Sequence, residues 1–281
     1  MDEKNLFLKT VEEKYRRFCD YYSFVHSDFL SPEQQSQLSG FLRAHEKEGV
    51  YLFGGYAEAE RQQVVFLPDY SGIPAKLSAL APFENEAEKS KAIARLLLEY
   101  FEQNPEDCPL SLLQIHIPPT ERRVLGHRDY LGALTGAGIR REKLGDILLS
   151  EECTQLVVAR ELADYLAENL RQVGAVSISA KKSPIFALKN IKSERKSLKF
   201  TVPSPRIDNI TASCFGISRA AAAEAVSRGR VFVNGCQISK PDLSLKGGEK
   251  IVLRGSGKAI YKGCTGTSKK GRLCVEMEKY V

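Results

Sequence analysis

A set of basic and polar residues in the C-terminal third of the chain has the types and the spacing needed to hold phosphate groups. The members of this set are Arg206, Ser218, Arg219, Arg228, Arg230, Asn234 and Lys240. Arginine guanidinium groups form paired hydrogen bonds with phosphate oxygens, and the N–H groups at a helix N-terminus bind the same anions. Asparagine and serine side chains also reach sugars and bases. This chemistry predicts contact with a nucleic acid, mainly through its backbone.

The distribution of charge supports a polyanionic partner for the same part of the chain. The net charge of the 281 residues is only +6, yet residues 181–281 contain 21 Lys and Arg against 7 Asp and Glu. Residues 1–180 contain 20 Lys and Arg against 28 Asp and Glu. An acidic membrane is the less favoured partner, because the sequence has no basic amphipathic helix, lipidation motif or membrane-spanning apolar run. Nucleic acid is therefore favoured.

The sequence lacks the patterns of a metal site, a cofactor site or an activated nucleophile. Its seven cysteines form no CxxC pair, which predicts free thiols rather than zinc ligands or disulfides. The stretch "RGSGKAI" at 254–260 resembles a phosphate loop, but Val252 and Ala259 occupy positions that need Gly and Ser or Thr. No GxSxG motif or secretory signal is present. We predict a cytoplasmic protein without metal or cofactor, and we expect a monomer.

Local patterns predict two short helices and a small sheet around the basic residues. The first helix begins near Arg206 and turns at Gly216, and Ser218 caps the second helix, which Gly229 ends. Ala222, Ala225 and Val226 share one face of that second helix. A strand over 231–233 leads into an Asn-Gly hairpin turn at 234–235, and residues 250–255 form another strand.

This region resembles the RNA-binding domain named after small-subunit ribosomal protein S-four, also called the alpha-L motif. Ile207, Ala225 and Glu249 depart from the usual residues of that domain, which weakens its core slightly and leaves the basic face. The resemblance implies binding to structured RNA. The matching residues are Arg206, Asp208, Ser218, Arg219, Gly229, Val231, Val233, Asn234, Gly235, Lys240 and Pro241.

The upstream sequence predicts two further α+β segments. Helices near 4–24, from Ser31, and over 84–103 accompany strands at 50–57 and 63–68, and the stretch "NPEDCP" marks a boundary at 104–109. Strands at 110–117, 144–149, 154–159 and 175–180, with helices at 127–138 and 160–174, follow the β-α-β-β-α-β order of a ferredoxin-like domain. The predicted segments are an N-terminal region 1–107, a ferredoxin-like RNA-binding domain 108–182, a basic connector 183–203, and an S-four-type domain with a basic tail 204–281. The pattern of 181–200 also fits an edge of the last domain.

A second basic patch lies within the otherwise acidic part of the chain. Its predicted RNA contacts are Arg128, Arg140, Arg141 and Lys143, accompanied by Arg122 and Arg123. The spacing leaves two interpretations open, a second RNA surface or a helix capped by Asp129 beside a solvated basic turn. The nearby strands carry no aromatic residue for base stacking, so the patch is the better contact surface. Lys269, Lys270 and Arg272 in the predicted tail are weaker candidates.

Three further stretches of the chain carry a family resemblance. They are "HRDYLGAL…GI.REK.GDI", the upstream "FGGY..AER..VVFLPDY" and the downstream "GTSKKGRLCVEME". Together they resemble the YlmH family of bacterial RNA-binding proteins. The stretch at 84–107 is extra length relative to that family. The resemblance implies a three-part, non-enzymatic protein that docks on structured RNA, namely large-subunit rRNA and tRNA on stalled ribosomes, in translation quality control.

Two alternatives remain from the sequence. An RNA-modifying enzyme such as a pseudouridine synthase is one, because "GHRD" at 126–129 weakly resembles the catalytic motif of that class and would make Asp129 catalytic. An adaptor that binds a protein through the acidic N-terminal region is the other, and it is compatible with RNA binding.

Overall fold

The computed structural model describes residues 3–45, 49–83, 86–118, 125–150, 153–189 and 195–280. The chain forms two compact units, an N-terminal unit (Met1–Ile191) and a C-terminal unit (Lys192–Val281). Both units mix helices with antiparallel sheets, which confirms the predicted α+β class. No helix among the described residues combines the length and the apolar composition needed to cross a bilayer.

The first segment of the N-terminal unit packs four helices around a three-stranded sheet of order β1-β3-β2. The helix predicted from Ser31 is α2, and Ser31 caps it, because its Oγ accepts a hydrogen bond from the Gln34 backbone N–H at 3.2 Å. The Gln34 side chain accepts one from the Ser31 backbone N–H at 2.8 Å. The elements are α1 (Glu3–Tyr21), β1 (Val25–His26), α2 (Pro32–His45), β2 (Val50–Phe53), β3 (Gln63–Phe66), α3 (Ile73–Ala79) and α4 (Glu86–Gln103).

The second segment forms a four-stranded antiparallel sheet of order β5-β6-β4-β9. The order strand, helix, strand, strand, helix, strand is present, with a short hairpin inserted before the last strand. The elements are β4 (Leu110–His116), α5 (His127–Gly136), β5 (Leu144–Leu148), β6 (Thr154–Ala159), α6 (Arg160–Asn169), β7 (Gln172–Val173), β8 (Val176–Ser177) and β9 (Ser179–Ser183). The predicted last strand at 175–180 therefore needs a correction. Residues 172–177 fold back as the hairpin, and the sheet strand is Ser179–Ser183.

The C-terminal unit covers one face of a six-stranded sheet with two short helices. Its strand order is β10-β15-β14-β13-β11-β12, and every neighbouring pair is antiparallel. The core between helices and sheet includes Ile210, Val226, Ile251 and Met277, each fully buried. The elements are β10 (Arg195–Val202), α7 (Ile207–Phe215), α8 (Arg219–Ser227), β11 (Val231–Val233), β12 (Cys236–Gln237), β13 (Lys250–Leu253), β14 (Gly257–Thr267) and β15 (Leu273–Tyr280).

Two predicted segments of this unit need correction. Residues 195–202 of the predicted basic connector form β10, which pairs along its whole length with β15. The predicted basic tail is no tail, because residues 257–280 form a long hairpin of β14 and β15. β10 and β15 carry many charged residues, and local patterns do not show that these two segments, about 80 residues apart in the sequence, will pair. The segment of β14 is rich in glycine and threonine, so its pattern does not indicate a long strand either.

The predicted boundary near residue 107 does not separate two cores. Phe53 and Phe101 of the first segment share one hydrophobic cluster with Leu112 and Val157 of the second. Gly55, at φ +91°, lies directly against Ile185, and a Cβ at this position would collide with that side chain. The two segments therefore belong to one compact unit.

A buried carboxylate joins these two segments. Asp146 on β5 accepts hydrogen bonds from the Tyr56 hydroxyl at 2.6 Å and from the backbone N–H groups of Glu60 at 2.7 Å and Arg61 at 3.0 Å. The Arg61 guanidinium in turn donates to the Leu144 carbonyl oxygen at 2.6 Å. Burial raises the pKa of Asp146, while the Tyr56 hydrogen bond opposes that shift. Burial and the nearby carboxylate raise the pKa of Tyr56, so its hydroxyl remains a donor.

Replacing Asp146 by Asn should destabilise the N-terminal unit by about 2–3 kcal/mol, because a buried amide N–H would face donors in place of an acceptor. Hydrogen–deuterium exchange measured by mass spectrometry separates the two units by peptide. We expect faster exchange in Asp146→Asn for peptides of residues 50–66 and 144–159, with the C-terminal unit unchanged.

The matched control is Asp164→Asn. Its carboxylate pairs with Lys182 at 2.8 Å but its side chain is 75% exposed, so the change should cost less than about 1 kcal/mol. Equal protection in Asp146→Asn and wild type would show that the carboxylate does not hold the two segments together.

Candidate nucleic-acid interface

The helix α8 is held at each end by local features that the sequence predicts. The Ser218 hydroxyl oxygen accepts a hydrogen bond from the Ala221 backbone N–H at 3.1 Å, which confirms it as the cap of α8. At the other end Gly229 has φ +67°, and backbone bonds run from Gly229 to Val226 and from Arg230 to Ala225. This pattern is a Schellman motif, which needs a left-handed residue after the helix.

Asp208 brings two predicted contact residues together at the junction of the helices. Arg206 reaches it with two hydrogen bonds, Nε to Oδ1 at 3.1 Å and Nη2 to Oδ2 at 3.2 Å. Arg219, the first residue of α8, adds Nε to Oδ2 at 3.0 Å. The Asp208 side chain is only 4% exposed, whereas those of Arg206 and Arg219 are 36% and 56% exposed. The carboxylate therefore fixes two guanidinium groups that still face solvent.

The electrostatics of this cluster favour an ionised carboxylate and a net positive surface. Burial alone would raise the pKa of Asp208, but the hydrogen bonds from Arg206 and Arg219 outweigh it and hold that pKa below its usual range. Two guanidinium charges against one carboxylate leave an excess of one positive charge. Each guanidinium has five N–H donors, so both keep donors for a ligand. We call Arg206, Asp208 and Arg219 the arginine clamp.

Lys240 lies beside the arginine clamp. The turn that it begins is attached to the start of α7 by hydrogen bonds from Ile207 N to Leu243 O at 2.8 Å and from Asp208 N to Pro241 O at 3.2 Å. Lys240 itself is exposed and has no side-chain partner among the described residues. Lys240 thus adds a positive charge to the segment that is attached to the start of α7.

The other predicted residues of this unit lie away from the clamp or have structural roles. Arg228 follows α8 at its far end and pairs with Glu224 at 2.7 Å, which neutralises its charge. Arg230 donates to the Arg254 carbonyl oxygen at 3.0 Å. Asn234 forms the predicted hairpin turn at φ +49°, and its Oδ1 accepts from the Lys250 backbone N–H at 2.9 Å. Ser218 and Asn234 thus hold the fold, and the side-chain oxygen of each accepts a backbone hydrogen bond.

The residues of the second predicted patch differ in how far their charges are available to a ligand. Arg128 and Arg140 lie at opposite ends of α5, both exposed and without a carboxylate partner among the described residues. Lys143 is bound to Asp28 at 2.6 Å and to Glu161 at 2.5 Å, which raise its pKa against the effect of burial. Arg141 has a buried Nη1 that finds no hydrogen-bond partner within the described ranges. Arg122 and Arg123 fall outside the described residues.

The residues considered as a catalytic carboxylate, as nucleophiles or as metal ligands have structural roles or lack the needed arrangement. Asp129 caps the start of α5, where its Oδ2 accepts from the Gly126 backbone N–H at 2.8 Å. All seven cysteines lie in the described part of the chain, and none is joined in a disulfide there. Burial raises the pKa of Cys108 and of Cys214 to about 11, which makes both thiols poor nucleophiles. Across the described ranges no group of His, Cys, Asp and Glu is arranged to hold a metal ion.

Two family models match this chain, "YlmH, N-terminal" over residues 3–71 and "Putative RNA-binding domain in YlmH" over residues 104–186. Together they cover more than half of its length. The chain belongs to the YlmH family. This finding confirms the resemblance seen in the sequence, and residues 72–103 lie between the two matched ranges.

Two relatives cover most of this YlmH-family chain. Ribosome-associated protein quality control protein P2 of Bacillus subtilis (strain 168) is 28% identical over 279 residues, which are 99% of this chain and 95% of that protein. The solved structure of cell division protein ylmH from Streptococcus pneumoniae covers 66% of this chain and 94% of that chain, at 19% identity and a TM-score of 0.42.

Sequence reasoning missed a further basic surface in the C-terminal unit of this YlmH-family protein. The Arg254 guanidinium carbon lies 4.5 Å from the centroid of the Phe232 ring. The Tyr280 ring has the Lys258 ammonium at 4.5 Å and the Arg195 guanidinium at 4.9 Å from its centroid. These residues meet only because distant strands pair, and a local pattern gives no signal of that pairing.

Asp208→Asn should destabilise the C-terminal unit by about 3 kcal/mol at neutral pH, because two guanidinium groups would lose a buried partner. The folded pKa of Asp208 is lowered, so its contribution is present above the unfolded pKa of about 3.9 and lost as pH falls through the folded value. We therefore expect the difference in unfolding free energy between wild type and variant to shrink below about pH 4. Urea unfolding of both proteins at several pH values across that range measures this difference in free energy.

Asp242→Asn provides the control for this measurement. Asp242 is exposed in the turn after Lys240 and has no side-chain partner among the described residues. Its substitution should leave stability within about 0.5 kcal/mol. A constant difference between wild type and Asp208→Asn at every pH would contradict the assigned ionisation.

Proposed function

We propose that this protein is a non-enzymatic RNA-binding factor that acts on the ribosome in translation quality control. The observation that carries the proposal is the arginine clamp, in which a buried carboxylate holds two half-exposed guanidinium groups at a helix N-terminus. Rigid guanidinium groups bind phosphate oxygens at a lower entropic cost than freely rotating side chains do. The N-terminus of α8 adds backbone dipoles of the sign that favours phosphate.

The charge of the C-terminal part supports the same conclusion. Residues 181–281 carry 14 more positive than negative charges, whereas residues 1–180 carry 8 more negative than positive ones. The name of the 28% identical relative places that protein at the ribosome and in quality control, and we extend this role to the present chain. The partners we propose are large-subunit rRNA and tRNA on stalled ribosomes.

Two parts of the chain, the helix pair with its strands in the C-terminal unit and the four-stranded segment of the N-terminal unit, fit known types of RNA-binding domain. We propose that α7, α8 and β11–β13 form an S-four-type domain, since they have the residues of that motif in the expected helix, turn and strand positions. Residues 110–183 have the element order and the strand order of a ferredoxin-like domain, to which we assign a second RNA contact. That contact rests on Arg128 and Arg140, because Lys143 is already paired with two carboxylates.

The enzyme alternative has less support than the binding role. A pseudouridine synthase would need Asp129 as its catalytic carboxylate, but this carboxylate caps α5. A cap is a sufficient structural reason for an aspartate at this position. We therefore propose binding without catalysis.

Ultraviolet crosslinking in native cells, followed by sequencing of the attached RNA, tests the ribosomal role. We expect crosslinks concentrated at one large-subunit rRNA site together with tRNA. Crosslinks scattered over many mRNAs would contradict the ribosomal role and leave a generic RNA-binding protein.

Arg219→Glu tests the arginine clamp directly. Loss of one phosphate contact should weaken binding to deproteinised ribosomal RNA and reduce the slope of log affinity against log salt by about 0.7–0.9. The control is Arg171→Glu, which makes the same charge change at an exposed position outside both proposed surfaces. Filter binding at several salt concentrations measures the affinity and the salt slope of the two variants. Equal losses in the two variants would show that only total charge matters.

A further inference from the structure

The sheet of the C-terminal unit has a second face that the helices do not cover. Along β11 and β13, Val231, Val233, Ile251 and Leu253 point into the core, so the alternate residues point to the opposite face. None of these alternate residues belongs to the hydrophobic core that α7 and α8 cover. We call this the outer face. Its members include Phe232, Lys250, Val252, Lys258, Ile260 and Tyr280.

The strand register places aromatic and basic residues of the outer face in one row across five strands. Phe232 pairs with Val252, and Val252 pairs with Lys258. The pairing of Ala259 with Lys279 brings Lys258 beside Tyr280, and Tyr280 pairs with Arg195. Adjacent strands lie about 4.8 Å apart, so the two rings are roughly 14 Å from each other. Both rings are partly exposed.

Cations stack on the two rings of this row. The Arg254 guanidinium carbon is 4.5 Å from the Phe232 centroid, and Lys258 and Arg195 lie 4.5 Å and 4.9 Å from the Tyr280 centroid. A guanidinium on an aromatic ring presents a flat cationic surface on which a base can stack. The row thus combines planar groups for bases with positive charge for phosphates.

Most charged side chains of the outer face are basic among the described strand residues. Arg195, Lys199, Lys250, Arg254, Lys258 and Lys262 supply six positive charges there, and Glu276 and Glu278 supply two negative ones. Glu278 lies between Arg195 at 3.3 Å and Lys262 at 3.4 Å, and Glu276 is 3.7 Å from Lys199. The excess of four positive charges favours an anionic partner over an apolar protein surface.

We propose that the outer face binds a short single-stranded segment of RNA, with bases stacked at Phe232 and Tyr280 and phosphates near the surrounding lysines. Single-stranded bases stack on aromatic residues exposed on sheets, whereas paired bases cannot. This inference rests on the proposed RNA-binding function and adds to the C-terminal unit a further site with a different RNA preference. The arginine clamp binds the backbone of structured RNA, and the outer face binds unpaired nucleotides.

Photo-crosslinking to a short oligouridylate that carries 5-iodouridine tests this site on the full-length protein. Iodouridine crosslinks to an aromatic residue on which it stacks, and mass spectrometry of the adduct identifies that residue. We expect adducts at Phe232 or Tyr280. The double variant Phe232→Leu/Tyr280→Leu keeps apolar side chains in the strands and should weaken oligouridylate binding by about fivefold or more.

Two controls separate stacking from general loss of charge or fold. Phe186→Leu removes an exposed ring from the N-terminal unit and should leave oligouridylate binding unchanged. Lys269→Gln removes one charge from the far turn of the β14–β15 hairpin, about 30 Å along the strands from Lys258, and should have less effect than Arg254→Gln. Circular dichroism and thermal unfolding confirm that each variant is folded.

Comparison with deproteinised ribosomal RNA distinguishes this inference from the proposed function. Adducts at Phe232 or Tyr280 that persist in Arg219→Glu support an independent outer site. Adducts found only at other residues, or no oligouridylate binding while ribosomal RNA still binds, would overturn the outer site and leave the proposed function standing. Absence of binding to either RNA would overturn both.

Discussion

The candidate interface depends on one interaction, the burial of the Asp208 carboxylate between two arginine side chains. A buried carboxylate without partners would be costly, so the fold that encloses Asp208 must also place Arg206 and Arg219 around it. Arg206 precedes α7 and Arg219 begins α8, so this requirement sets the packing of the two helices. The same interaction gives the surface its shape and its charge.

The N-terminal unit uses the same principle for a purely structural purpose. Asp146 is buried among donors from Tyr56, Glu60 and Arg61, and it joins two segments of the chain that sequence patterns predict as separate domains. The difference between the two carboxylates lies in their side-chain partners. Both accept backbone N–H bonds, but Asp146 also binds the Tyr56 hydroxyl, whereas Asp208 also binds guanidinium groups that continue to solvent. A buried acid therefore indicates a binding surface only where its partners are exposed cations.

The sequence predicts best what is determined by neighbouring residues. Ser218 as a helix cap, Gly229 in a left-handed C-cap and Asn234-Gly235 as a hairpin turn all follow from local chemistry, and the structure confirms each. Contact residues are less predictable, because side-chain charge is shared with partners that lie far away in sequence. Lys143 is basic in the sequence but is neutralised by Asp28 and Glu161, which no local pattern places beside it.

Long-range strand pairing also explains why the outer face escapes sequence analysis. Arg195 and Tyr280 are separated by 84 intervening residues, yet they pair directly between β10 and β15. Each strand alone shows only alternating charged and apolar residues, which is the pattern of any half-exposed strand. The pairing turns that ordinary pattern into a row of rings and cations on one face, opposite the helices. The two faces of this unit therefore differ in origin, since a local motif specifies the helix face and tertiary structure alone assembles the other.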